Sequence, residues 1–421
     1  MDFSFTGEQT QLRDALRRYL SQEYTFDARR KIIHGAGTSD TAWAGMAELG
    51  LMGVPVPEPY GGFSGTGVDM LVVMEELGRG IVVEPYFATA VLGAAFIKHG
   101  GSDAHKAALL SKVADGSLKL ACALTEKQSR HELHNIILAG VASGNEARRS
   151  AAPGNDARRS AAPGNDARRS AAPDNGFSLN GVKTVVLHGA QAGMLIVSAR
   201  TAGAARDKSG ITVFIVDATA AGVSIKDCRT IDGMRAADIS FTNVAVGKDA
   251  VLGKVGEGYA LIERAAQVGI AALCAEAVGC MEAINAQTIE YLKTRKQFGV
   301  PIGKFQVLQH RAAEMFMEVE QARSLAYLAA VKVDSADASE RARAIHAAKV
   351  RAGRAIKFVG QAAIQMHGGM GMTDELPVSH YFKRATMIDF ALGDVDHHLA
   401  AFAALDSDTE RAAAKAAAAV A

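Results

Sequence analysis

The sequence predicts an α+β protein in three parts: an all-helical N-terminal domain, a central β-barrel or sandwich, and a C-terminal four-helix bundle. Three observations carry this reading. Apolar residues recur three or four apart in the first and last thirds of the chain. Between them the pattern shortens to β-prone runs broken by Gly, Asn and Asp. A chain of 421 residues is also too long for one small core. The expected boundaries are 1–118 for the helical domain, 119–246 for the β domain, 247–405 for the bundle and 406–421 for an Ala-rich tail that frays.

Thr6 and Gln9 form a capping box ahead of a helix with Leu12, Leu16 and Leu20 on one face. Trp43, Met46 and Leu49 belong to a short helix stopped by Gly50, and the Gly- and Pro-rich run 53–67 reads as loop. Helical patterns return at 69–77, 85–99 and 103–113. Strand-like runs follow at 118–124, 135–138, 177–179, 183–187, 194–199, 211–216, 223–226 and 239–241, with Asn180-Gly181 as a hairpin signal between two of them. Within this domain, 144–173 is a ten-residue unit, GNDARRSAAP, written three times with Glu146 replacing Asp in the first copy. Its alanines and paired arginines offer no face to bury, so it reads as a disordered insertion at a hairpin tip, with a basic arm as the lesser alternative because interleaved acids partly balance its arginines. The remaining helices, at 259–292, 305–333, 339–366 and 377–405, are joined by short Gly/Pro loops, as in a bundle.

Composition excludes some functions. Forty-six basic against forty-five acidic residues leave a charge of +1, no electrostatic footprint for nucleic acid or an anionic membrane. The opening Met1-Asp2-Phe3 is not a basic, apolar leader, so a cytoplasmic protein is expected. Cys122, Cys228, Cys274 and Cys280 show no metal spacing and read as reduced residues. His310, His367, His397 and His398 likewise suggest no metal site.

Two stretches carry chemistry. YLKTRKQFGVPIGKFQVLQ, 291–309, closes one long helical pattern with Arg295, Gln297 and Phe298. QMHGGMGMTDELP, 365–377, closes another with Gln365, Gly368, Gly369 and Gly371. A planar guanidinium grips a pyrophosphate through parallel bonds, an amide donates beside it, and glycines let backbone approach closely. Taken singly, the first stretch also reads as an exposed helix end and the second as a glycine C-cap. Neither is a dinucleotide-fold loop or a P-loop.

Together they resemble the acyl-CoA dehydrogenase family, through Tyr291, Arg295, Gln297, Phe298, Gly299, Pro301, Phe305 and Gln306, then Gln365, Gly368, Gly369, Gly371 and Glu375. Leu49-Gly50-Leu51 with Pro57, Glu58, Tyr60, Gly61 and Gly62 resembles the family's N-terminal motif. More narrowly, the chain resembles the branch of pimeloyl-CoA dehydrogenase small subunits. The resemblance implies the helix–sheet–bundle fold, with FAD between the β domain and the bundle. By it, Arg295, Gln297 and Phe298 reach the flavin nucleotide of a neighbouring subunit, and Gln365, Gly368 and Gly369 line the same pyrophosphate. A homo- or hetero-oligomer, dimer or tetramer, follows. Thr125, in Leu124-Thr125-Glu126, corresponds to a flavin-ring contact, with Lys127 where the family usually has proline. The family's Lys-x-Trp-Ile-Thr reads here as Lys183 to Leu187, lacking the Trp and the hydroxyl.

The implied reaction removes an α-proton and a β-hydride from an acyl-CoA thioester and passes electrons to an electron-transfer flavoprotein. Its base is a carboxylate with a raised pKa. The two places where the family carries that glutamate hold Leu392 and Gly269 here. Asp394 and Asp389 are the nearby candidates, although an aspartate after glycine is commonly a cap. Glu276 is another, with a polar bundle contact as its plainer reading. Two alternatives remain: a non-catalytic structural subunit of a two-chain enzyme, and an oxygen-using flavoenzyme of the same fold.

Overall fold

The computed structural model describes residues 4–143 and 176–405. Its first part contains α1 (Gly7–Glu23), α2 (Phe26–His34), α3 (Asp40–Glu48) and α4 (Gly67–Arg79), then a π-helical stretch, Phe87–Gly93, that runs into α5 (Ala94–Gly100) and is followed by α6 (Asp103–Ala114). Both bonds of the capping box form. Gln9 N donates to Thr6 Oγ1 at 3.2 Å and Thr6 N donates to Gln9 Oε1 at 3.0 Å, while Leu16 and Leu20 turn inward.

The middle of the chain is one eight-stranded sheet: β1 (Leu120–Ala123), β2 (Ala139–Ala142), β3 (Phe177–Leu187), β4 (Met194–Arg200), β5 (Ile211–Asp217), β6 (Val223–Arg229), β7 (Arg235–Val246) and β8 (Val251–Leu252). The order is β6-β7-β3-β2-β4-β5-β8, with β1 parallel to β4. Two expectations are corrected here. Asn180-Gly181 makes no hairpin; β3 runs through it, antiparallel to both β2 and β7. The register shifts between Leu179 and Gly181, where φ is +145° and a Cβ would lie 2.9 Å from Leu138 Cα. Asn180 Oδ1 accepts the Asn243 N–H, so these turn-forming residues serve a bulge instead. Residues 135–138 form no strand because the Glu126 carboxylate takes the N–H groups of Ile137 and Leu138, at 2.9 and 3.2 Å. The repeat at 144–173, expected to be disordered, and the tail at 406–421 lie outside the described residues.

The last part packs α7 (Gly258–Thr294), α8 (Gln306–Lys332), α9 (Ala338–His367) and α10 (Pro377–Phe390) around a core that includes Met281, Ile284, Met315 and Val359 and continues into α4. Helix α7 is long and apolar enough to cross a membrane, yet 89% of its most apolar window is buried inside the protein. A third expectation fails at the end of the bundle. The helix expected over 377–405 stops at Phe390 and resumes as α11, 395–405. In the break Leu392 has φ +56° and Gly393 φ +108°, and a Cβ on Gly393 would lie 2.6 Å from the rings of His397 and His398. Asp394 then caps α11, its Oδ1 accepting His397 N at 2.9 Å.

Candidate active site

The two motif-bearing helix ends meet. Tyr291, near the end of α7, stacks on His367, the last residue of α9, with ring centroids 4.4 Å apart, and its hydroxyl donates to His367 O at 3.4 Å. Beyond α7, Arg295 opens a short hairpin in which β9 (Lys296–Gln297) pairs with β10 (Val300–Pro301). Phe298, at its tip, has φ +53° and is 90% exposed. Beyond α9, Gly368 adopts φ 60°, ψ −142°, which a side chain disfavours. A Cβ on Gly299, Gly368 or Gly369 would touch nothing, and Arg295, Gln297 and Gln365 are exposed. The result is an open surface of bare backbone, one guanidinium and two amides.

Thr125 lies elsewhere, on the wall of a cleft of about 720 Å³ between the sheet and the bundle. Its walls are mostly apolar, including Phe87, Leu124, Leu187 and Leu273, while Lys127 and Arg130 bring positive charge along one side. The Thr125 hydroxyl donates to Thr184 O at 2.5 Å, and Thr184 N returns a bond to Thr125 O at 3.0 Å. That pair welds the end of β1 to β3. Beneath it Lys183 is fully buried, donating to Glu126 at 2.8 Å and Ser198 at 3.0 Å; burial brings its pKa down to about 8 against the pull of Glu126. Val185 and Leu187 line the cleft where the resemblance has Trp and Thr. From Leu273 on the cleft wall to Arg295, α7 climbs roughly 33 Å, so one chain does not bring Thr125 and Arg295 together.

The two positions where the resemblance leads one to expect a glutamate, Leu392 and Gly269, converge. A Cβ on Gly269 would lie 2.6 Å from Leu92 Cδ2 and 2.9 Å from Leu392 Cδ1, so leucines fill the space a carboxylate would need. Asp394 lines the cleft, but one carboxylate oxygen caps α11 and the other lies 3.4 Å from His131 Nε2. The bond from His397 N, helped by His131, holds its carboxyl below the usual range, opposite to what a desolvated base requires. Asp389 is raised by burial, but its Oδ1 packs at Gly353 of α9, where a Cβ would meet it at 2.3 Å. Glu276 takes the plainer role. It is clamped by Arg384 through Nε at 2.5 Å and Nη2 at 2.8 Å, and Arg384 Nη1 reaches Asp232 at 2.9 Å.

Sequence reasoning missed Arg384, Asp232 and His131, all on the cleft wall, and Lys349 behind it. None sits in a motif, and their partners come from distant elements. Among the described residues no cluster of His, Cys, Asp and Glu is suited to a metal.

A helical domain, a sheet and a helical bundle enclose a mostly apolar cleft, the architecture that the resemblance to acyl-CoA dehydrogenases implies. Comparison narrows this. The acyl-CoA dehydrogenase N-terminal, middle and C-terminal domain descriptions match residues 6–117, 156–244 and 256–404. The chain belongs to the acyl-CoA dehydrogenase family, FAD-dependent oxidoreductases acting on CH–CH groups. It is 28% identical to a probable acyl-CoA dehydrogenase of Bacillus subtilis, over 93% of this chain and 96% of the relative. It is 25% identical to the NADH-dependent acryloyl-CoA reductase of Anaerotignum propionicum, over 94% of each. The solved butyryl-CoA dehydrogenase of Megasphaera elsdenii superposes with a TM-score of 0.82 at 25% identity, covering 96% of this chain and 99% of that one.

Proposed function

We propose that the cleft binds FAD beside an acyl-CoA thioester, that the chain supports α,β-oxidation of that thioester, and that electrons pass on to an electron-transfer flavoprotein. The cleft itself carries the reading: its volume and apolar walls suit a planar ring system, and Lys127 and Arg130 suit an attached pyrophosphate. When bound, FAD supplies the two-electron acceptor for the hydride. The Thr125–Thr184 pair fixes one wall, Arg384 with Asp232 and Glu276 fixes another, and Leu187, Leu273 and Leu392 keep water from the reacting carbons. Arg295, Gln297, Phe298, Gln365, Gly368 and Gly369 form the second cofactor surface, offered to the flavin pyrophosphate of another subunit in a dimer or tetramer. Asp394 serves as proton acceptor only if it leaves His131.

Arg295→Ala is expected to lower FAD retention by roughly tenfold or more, since a charge-assisted bidentate contact is lost. Gel filtration followed by the flavin-to-chain absorbance ratio reads this, and normal FAD content in the variant would sink the assignment.

A second reading has its own observation in its favour. Leu392 packed at Gly269 leaves both family base positions apolar, which suits a subunit that completes a partner chain's site without turnover. The experiment is the visible spectrum and FAD-to-chain ratio of the protein expressed alone, before and after anaerobic addition of medium-chain and dicarboxylyl CoA thioesters. Stoichiometric flavin that bleaches supports the first reading, and bleaching confined to dicarboxylyl thioesters supports the pimeloyl-CoA branch. Colourless protein, or flavin that never bleaches, supports the second.

A further inference from the structure

We infer that Lys349, with the His346–His398 pair, is a positioning residue for the cleft: it locks the break between α10 and α11 so that Leu392 stands over Gly269 and sets the depth of the cleft. This rests on the reading of the cleft as an acyl thioester site.

Lys349 sits within α9 and is 1% exposed. Its Nζ donates to Ile388 O at 2.8 Å, Asp389 O at 2.7 Å and Gly393 O at 2.7 Å. An ammonium has three N–H groups, and all three are spent on carbonyls that flank the break. Those of Ile388 and Asp389 are last-turn carbonyls left without helical partners where α10 stops, so Lys349 stands in for the missing turn.

The histidines hold the same loop from the other side. Leu392 O lies 2.9 Å from His398 Nε2, and a carbonyl only accepts, so Nε2 carries the proton. His398 Nδ1 is then a bare lone pair, and His346 Nδ1, 2.8 Å away, must donate to it. Both rings are neutral, since burial brings His346 down to about 4 and His398 to about 3. Leu392 itself, at φ +56°, is in a conformation that L side chains avoid, and it persists only where surrounding bonds impose it. Its Cδ1 would lie 2.9 Å from a Cβ on Gly269, so any movement of the loop reshapes the cleft.

The charged and titratable groups around Lys349 are the Cys274 thiol on α7, Asp389 on α10, and Asp394, His397 and His398 around the start of α11. The hydrogen bonds of Nζ go to the three carbonyls. Burial brings the Lys349 pKa down to about 8. A neutral amine has two N–H groups for three acceptors, so the clamp loosens as pH rises through that value.

The test compares wild type, Lys349→Met, Leu392→Gly and the double variant by hydrogen exchange of 389–394 and by calorimetric titration with octanoyl-CoA. Loss of a charged hydrogen-bond donor is expected to raise exchange and weaken octanoyl-CoA binding by roughly tenfold in Lys349→Met. Wild-type affinity is expected to fall by about as much between roughly pH 7 and roughly pH 9, and the Met variant's profile to be flat. With Leu392→Gly, which accepts positive φ unaided, the added Lys349→Met change should cost less than about twofold. Wild-type exchange and affinity in Lys349→Met, an equal loss in the Gly background, or a surviving pH slope overturns the proposal. If Lys349→Met does not fold, the wild-type pH series and His346→Leu decide by the same exchange readout. Octanoyl-CoA that fails to bind even wild type refutes the thioester reading of the cleft, while the exchange data still judge the clamp.

Discussion

A Leu392→Glu variant is expected to reduce its bound FAD with a saturated acyl-CoA about 10²- to 10⁴-fold faster than the parent, the range that a positioned general base contributes. Position 392 lines the cleft, and its side chain reaches Gly269 in a wall that also includes Leu92, Leu273 and Phe390. A carboxylate placed there is desolvated, which raises its pKa toward the working range of a base. The rate should therefore rise with pH through that raised value, because only the deprotonated form accepts the α-proton. Gly269→Glu is not an equivalent change, since its Cβ would collide with Leu92 and Leu392 at 2.6 and 2.9 Å. It should gain activity only beside Leu92→Ala and Leu392→Ala together. Stopped-flow bleaching under anaerobic conditions measures all three. A parent that already bleaches as fast as Leu392→Glu would mean that the proton leaves by another route and that Leu392 is no vacancy in the machinery.

The helices were legible because their cause is local. The Thr6–Gln9 box and the Leu12, Leu16, Leu20 stripe are written in consecutive residues, and a 3.6-residue period survives whatever packs against it. Asn180-Gly181 misled because residues that suit a hairpin turn also suit a bulge, and only the approach of Leu138 and Asn243 selects between them. The break at 391–394 is less visible still. Gly393 hinted at it, but the carbonyls it exposes are satisfied by Lys349, a residue on another helix. At the site, Arg295 with Gln297 and the glycines after Gln365 stood out because few side-chain types suit a pyrophosphate, and the structure brings the two helix ends that carry them together. The resemblance pointed to two places without a glutamate, Leu392 and Gly269. That Leu392 and Gly269 face each other is a fact of packing between α7 and the break. Arg384 carried no signal at all, being one arginine whose carboxylate partners lie on α7 and in the turn before β7.

Arg384→Met is expected to destabilise the protein by roughly 3–5 kcal/mol, the cost of removing one partner from a buried ion pair. Arg384, Glu276 and Asp232 are each no more than 4% exposed. Burial alone would lower the Arg384 pKa, but the two carboxylates outweigh it and the net shift is upward. Without the guanidinium, Glu276 and Asp232 are left as buried charges. The consequence reaches all three parts of the chain. Asp232 O also accepts Arg29 Nη2 at 2.8 Å, and Arg29 Nε donates to Ile81 O at 2.7 Å, so α2, the sheet and the bundle are tied at one point beside the cleft. If the network acts mainly through its charges, Glu276→Gln with Arg384→Met should recover part of the loss, since one of the stranded carboxylates becomes an amide. If it acts through shape alone, the double variant should be no more stable than the single one. Urea denaturation followed by fluorescence of Trp43 distinguishes them. An Arg384→Met protein as stable as the parent would show that the three parts are held at the cleft by apolar packing, and that this arginine serves only as cleft wall.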